Sequence, residues 1–145
     1  MIYRAMNRHH ITLAVLIALL ALLAVACAPQ APADTPRVFF AEPANEAAVA
    51  SPVTVRMGAE SFVVEPAGEV REGAGHLHIM VDTPCVAAGE AVPKDEAHLH
   101  FGQGQTEATL ELDAGTHTLC LQAADGAHVA LEGPGMTQEL TVTVE

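Results

Sequence analysis

The chain has 145 residues, the length of one domain and not of two ordinary ones. Eighteen acidic residues against six basic ones give a net charge of −12 at pH 7. That excess argues against a nucleic-acid-binding surface or a grip on anionic lipid headgroups, and with no tryptophan and 3% aromatic residues the core must be Val, Leu, Ile and Ala.

Residues 1–26 read as an export signal. Arg4 and Arg8 form a positive flank, residues 11–26 are a nearly unbroken run of Leu, Ala, Val and Ile, and Ala24-Val25-Ala26 stands just before Cys27. Small residues before a cysteine match a bacterial lipobox, which makes Cys27 the expected lipidated first residue. Ala24 takes a place usually held by leucine, so cleavage by an ordinary signal peptidase and an uncleaved anchor stay open. Each version puts the domain outside the cytoplasm, on a lipid anchor in the leading one. Removing residues 1–26 takes away two basic residues and no acidic one, so the remainder is more acidic still. Residues 27–36 hold three prolines and no large apolar side chain, the composition of an extended tether.

From residue 37 to 145 short alternating runs are separated by turn signals. Val38-Phe39-Phe40-Ala41 is a first strand, and residues 42–46 are turn-rich. Val53-Thr54-Val55-Arg56-Met57 alternates, with Val53, Val55 and Met57 inward, and Phe62-Val63-Val64 follows. Gly73-Ala74-Gly75 breaks the chain before a strand over 76–82. Residues 83–97, with Pro84, Gly89 and Pro93, are a loop. Residues 98–101 form a short strand, 102–105 a turn and 106–112 another strand. A hairpin loop at 113–116 leads to a strand over 117–123, and turns at 125–127 and 133–135 precede the last strand, 140–144. Seven or eight short strands with no helical stripe outside the signal predict an all-β, antiparallel, immunoglobulin-like β-sandwich.

The third feature is histidine. Apart from His9 and His10, the histidines are His76, His78, His98, His100, His117 and His128, all within one stretch. His76-Leu77-His78 and His98-Leu99-His100 repeat one pattern. In a strand, residues i and i+2 share a face, so each pattern puts two imidazoles on one side and leucine on the other. With Leu77, Ile79 and Val81 packed inward, His76, His78, Met80 and Asp82 stand on the outer face. Four imidazoles meet there if the two strands are neighbours, which the 83–97 loop permits without requiring. Neutral imidazole is a ligand for zinc and copper, and a thioether at Met80 would favour Cu(I). The expected metal residues are therefore His76, His78, His98 and His100, with His117, His128 and Met80 as weaker candidates. His117 shares a face with Leu119 and Leu121 and reads equally as a satisfied core residue, and His128 as a turn buttress. Asp82 either orients a ligand histidine or caps the next turn.

With Cys27 lipidated, Cys85 and Cys120 remain as an even pair in an oxidising compartment, the setting for a disulfide. The bridge would close about 35 residues and stabilise by roughly 3–4 kcal/mol in the chain-entropy account. A thiolate metal site is the competing use of this pair.

Several segments carry a resemblance. Glu42-Pro43-Ala44-Asn45-Glu46-Ala47 followed by Ser51-Pro52-Val53-Thr54-Val55 resembles the first hairpin of bacterial Ig-like modules. Gly75-His76-Leu77-His78 with Val81-Asp82-Thr83, the run from Pro93 through His98-Leu99-His100-Phe101-Gly102-Gln103-Gly104-Gln105-Thr106-Glu107, Gly115-Thr116-His117-Thr118-Leu119 and Asp125-Gly126-Ala127-His128 resemble one small exported bacterial family. That family is catalogued only as a domain of unknown function. The likeness spans about residues 43–144 and implies the fold and an extracytoplasmic place, with no activity attached. Relatives often carry further histidines where this chain has Leu77 and Ala130.

The resulting expectation is a membrane-tethered, extracytoplasmic domain that binds a copper or zinc ion. The alternative is a structural or interaction module whose histidines serve the fold. No nucleophile–base pair stands at a telling spacing, so an enzyme is not expected.

Overall fold

The computed structural model describes residues 35–145. The signal segment, Cys27 and all of the tether but Thr35 and Pro36 lie outside the described residues. Nine strands follow in order: β1 (Arg37–Glu42), β2 (Ala47–Val49), β3 (Val53–Glu60), β4 (Val63–Val64), β5 (Ala74–Val81), β6 (His98–Phe101), β7 (Glu107–Leu110), β8 (Gly115–Ala124) and β9 (Thr137–Val144). Among the described residues there is no helix.

The strands make a two-sheet, immunoglobulin-like sandwich. The small sheet runs β1-β3-β7 and is antiparallel. The large sheet runs β2-β9-β8-β5-β4. β5 pairs with β8 along one edge. Its other edge is shared: β4 lies parallel to Ala74 and Gly75, and β6 runs antiparallel along Leu77–Met80. The short β2, parallel to β9, has no counterpart in the sequence reading, because two of its three residues are alanine, a weak strand former.

Side-chain alternation explains the core. Val38, Phe40, Val53, Val55, Met57 and Leu110 from the small sheet meet Leu77, Ile79, Leu119, Leu121, Leu140 and Val142 from the large one. Each fully buried aliphatic side chain is worth about 1.5–3 kcal/mol relative to exposure.

One expectation needs correction. The outer face of β5 is not a surface: His76 is 0% exposed, His78 1% and Met80 0%. His76 and His78 lie against the His100 and His128 rings, and over Met80 the 83–97 loop folds back and makes a second apolar layer, with Met80, Val92, Cys120, Ala124 and Ala130 at its centre. Three devices hold it there. Cys85 and Cys120 form the disulfide, with Cα atoms 5.6 Å apart. The buried side-chain amide of Gln122 accepts from the Val86 N–H at 2.9 Å and donates to the Val86 carbonyl at 2.8 Å. Backbone bonds then tie the loop to the 125–131 turn: Val92 N–H to the His128 carbonyl at 2.9 Å, Ala130 N–H to the Glu90 carbonyl at 2.9 Å, and Gly89 N–H to the Ala130 carbonyl at 2.9 Å.

Candidate metal centre

Strands β5 and β6 are neighbours, and their register sets the site. His78 lies opposite His100, and Met80 opposite His98. Directly opposed residues share a face, so His100 joins His76 and His78 over the sheet. Two glycines make room. A Cβ at Gly102 would run into the His100 ring, and one at Gly75 would meet the Ala124 carbonyl where β8 leaves the sheet. The Gly-His and His-Phe-Gly pairings therefore have a steric basis.

The fourth imidazole comes from a turn. The Asp125 carboxylate accepts from the Ala127 N–H at 2.8 Å and the Val129 N–H at 2.9 Å, and the His128 N–H donates to the Asp125 carbonyl at 3.0 Å. His128 has φ 68, a left-handed conformation that costs a non-glycine residue about 1–3 kcal/mol. That backbone brings its Nε2 to 3.0 Å from His100 Nε2.

Together His76, His100 and His128 present three ring nitrogens within 4.8 Å of one another. His78 stands behind them, its Nε2 2.9 Å from His76 Nε2. Ring centroids around His76 are 4.7–4.9 Å away: His128 at 4.7 Å, His78 at 4.8 Å and His100 at 4.9 Å. His76 and His78 are the buried half of the group, His128 is half-buried and His100 is exposed, which leaves a way in from solvent.

The electrostatics favour the neutral form of His76, His78 and His100. Burial pushes His76 down to about 4, helped by His128 and His100 and opposed by Asp125. Burial pushes His78 down to about 3, with His76, His100, His128 and His98 adding to it. His100 is also lowered, by burial first and then by His128 and Lys94. Neutral imidazole is the form that ligates metal.

The buried pair also has unmet polarity. The Nδ1 atoms of His76 and His78 are buried with no hydrogen-bond partner. Two neutral rings joined by one Nε2–H···Nε2 bond leave one Nδ1 protonated and the other bare, whichever ring donates. A buried polar group without a partner costs about 1–3 kcal/mol. An all-imidazole donor set suits copper, zinc or nickel, and hard oxygen-seeking cations much less.

The other expected residues are elsewhere. His98 points its Nδ1 at the Asp95 carboxylate, 2.6 Å away, in a turn where Asp95 also accepts the N–H groups of Ala97 and His98. His98 replaces no member of the three-nitrogen group, and His128 takes the place that the repeated His-Leu-His pattern gave to it. His117 uses both ring nitrogens, Nδ1 with the Asp82 carboxylate at 2.7 Å and Nε2 with the Asp113 carbonyl at 2.9 Å. Asp82 raises the His117 pKa, chiefly through that hydrogen bond, with the Asp113 carbonyl next. Asp82 thus orients His117 and accepts the Thr118 N–H, and no ligand histidine leans on it. The Met80 side chain packs in the apolar layer under the loop.

Sequence reasoning missed Gln122 and Asp125, the two side chains that fix the cover and the His128 turn. Asp-Gly-Ala-His carries a turn signal for the second. A glutamine at an outward strand position carries none for the first.

A family model described as a domain of unknown function, DUF4399, matches residues 55–145. No curated protein and no solved structure matches the chain.

Proposed function

The chain belongs to the DUF4399 family, and because that family is a domain of unknown function we propose a role from the site itself: a transition-metal-binding module that holds copper or zinc through His76, His100 and His128. The observation that carries this reading is the convergence of three imidazole nitrogens, backed by a buried histidine with unmet polarity. An ion bonded at about 2.0–2.1 Å keeps its nitrogens roughly 3–4 Å apart. His100 and His128 already stand at 3.0 Å, and the three nitrogens lie within 4.8 Å, so the exposed His100 ring would have to turn only slightly to bind an ion. His78 either supplies a fourth nitrogen or holds His76 in one tautomer.

In this reading the domain works outside the cytoplasm, tethered through a lipid on Cys27. The lipobox-like N-terminus and the Cys85–Cys120 disulfide both support that placement. It binds and holds its ion without turnover.

The test is titration of the metal-free, full-length chain in detergent with Cu(II) and with Zn(II). One tightly held ion per chain is the expected result, and no stoichiometric uptake of either would sink the proposal.

One observation favours a second reading. The 2.9 Å and 3.0 Å contacts pair the Nε2 atoms of four imidazoles without any ion, as architectural histidines would. The double variant His76→Leu, His78→Leu separates the two. In a metal site it abolishes binding while stability holds or rises, since both members of the buried pair with unmet polarity are replaced by apolar groups. In an architectural site stability falls and no metal effect exists to lose.

A further inference from the structure

The 83–97 loop, which covers Met80 and ties down the His128 turn, is fastened by one covalent bond, and only one of its sulfurs is within reach. Cys120 is wholly buried on β8, opposite Met80 across the ladder. Cys85 is half-buried at the start of the covering loop. Beside it opens a groove lined by Asp82, Thr83, Pro84, Thr118 and Glu139, with the Glu139 carboxylate 4.0 Å from Cys85 Sγ.

From that sulfur the loop leads to a candidate ligand. Val86 is clamped by Gln122, and Val92, 4% exposed, donates its N–H to the carbonyl of His128. Ala91 and Val129 form a bridge beside that bond. His128 is therefore held in its left-handed conformation from two sides, by the Asp125 turn and by the disulfide-tied loop. The same loop covers Met80, next along the histidine face from His78.

We propose that Cys85–Cys120 is a thiol-exchange site for an extracytoplasmic dithiol reductant, and that opening it loosens His128 and releases the bound ion. The inference rests on the metal-binding reading above. A thiolate of the dithiol attacks Cys85 Sγ, the accessible sulfur. A new bond forms there, the Cys85–Cys120 bond breaks, and its electron pair leaves with Cys120, which takes up a proton. The second thiol of the reductant then displaces Cys85, which leaves as a thiol. Two electrons and two protons pass to the domain, and the dithiol becomes a disulfide. The acidic groove fits a reductant with basic residues flanking its thiols.

Zinc is the probe, because a phosphine reductant does not change its oxidation state. Zn(II) affinity of the full-length chain in detergent is measured by chelator competition, oxidised and then reduced. Amide exchange is followed at Val86, Val92 and Ala130. The expected result is about tenfold weaker zinc binding after reduction, the size of loss seen when groups supporting a ligand are removed. Faster exchange at those three amides accompanies it, with β1, β3 and β7 unchanged. The double variant Cys85→Ser, Cys120→Ser gives the same loss without reductant. Equal zinc affinity in both states overturns the inference and leaves the metal site standing. Global unfolding on reduction also overturns it, since the bond is then a staple of the whole fold. No zinc binding even in the oxidised chain overturns this inference, and if Cu(II) is not taken up either, the metal reading falls with it.

Discussion

Two kinds of histidine occupy this domain, built from the same residue a few ångströms of backbone apart. His76, His78, His100 and His128 meet one another, and no carboxylate oxygen reaches their rings within hydrogen-bond distance among the described residues. His98 and His117 each meet an aspartate, at 2.6 Å and 2.7 Å. The partner decides the chemistry. Burial disfavours the charged form of His76, His78 and His100, whereas the Asp82 carboxylate favours that of His117, and in both His98 and His117 a carboxylate occupies the ring. One set is suited to hold a cation and the other to fasten turns.

The largest effect expected from this contrast is acid destabilisation of the metal-free domain. His76 and His78 are held at about 4 and about 3, against an ordinary value near 6.5 in the unfolded chain. Between pH 6.5 and 4 the unfolded chain takes up protons that the folded one refuses, so stability falls with pH. Each of the two contributes a loss of roughly 3 kcal/mol by pH 4. Urea midpoints measured from pH 7 to pH 4 should drop steeply, and the double variant His76→Leu, His78→Leu should flatten the slope. A slope unchanged in that variant would show that the buried pair is not what acid attacks.

Next comes metal affinity, tested on one strand. His100→Ala removes a nitrogen from the convergent group and is expected to weaken Cu(II) binding about 1,000-fold, roughly 4 kcal/mol. His98→Ala, two residues away and tied to Asp95, should change it less than about threefold, within about 0.7 kcal/mol. Equal losses would erase the distinction between the two sets.

That distinction is only half legible in the sequence. Strand parity puts His76, His78 and Met80 on one face and Leu77 and Ile79 on the other, and the structure has them so. The even cysteine pair likewise points to the observed disulfide. Parity says nothing of what lies above a face. The 83–97 loop reads as an open connection because of Pro84, Gly89 and Pro93, and only Val86 and Val92 hint that it packs. Register is the other missing quantity. His98 and His100 look equivalent as a string, yet one falls opposite Met80 beside a turn aspartate and the other opposite His78. His128 enters through a left-handed turn residue, a conformation that no periodicity encodes.

A smaller effect probes the packing beneath His100. Gly102→Ala puts a methyl group where the ring lies, so the ring must turn away. About tenfold weaker zinc binding is expected, near 1.4 kcal/mol, with a change in unfolding free energy below about 1 kcal/mol because Gly102 lies outside the main core. Calorimetric titration beside urea unfolding reads both. A loss of stability with affinity intact would mean that His100 is not held by this contact.

The smallest effect carries the opposite sign to the first. His117 is raised by its hydrogen bond to Asp82. The stability it adds is fully present below the ordinary histidine value of about 6.5 and is lost as pH rises through the raised folded value. For Asp82 desolvation pulls upward, but the hydrogen bonds from His117 and Thr118 win and lower it. Its share is present above the ordinary value near 3.9 and is lost as pH falls through the lowered one. The pair therefore works best between about pH 4 and 6.5, where the cluster is already losing stability. Half of the Asp82 carboxylate faces water, so screening holds the pair to about 0.5 kcal/mol. His117→Gln should cost that much at pH 5.5 and less at pH 8.5, by urea unfolding of both proteins at both pH values. A larger cost at the higher pH would place His117 with the neutral imidazoles, and the division by partner would no longer hold.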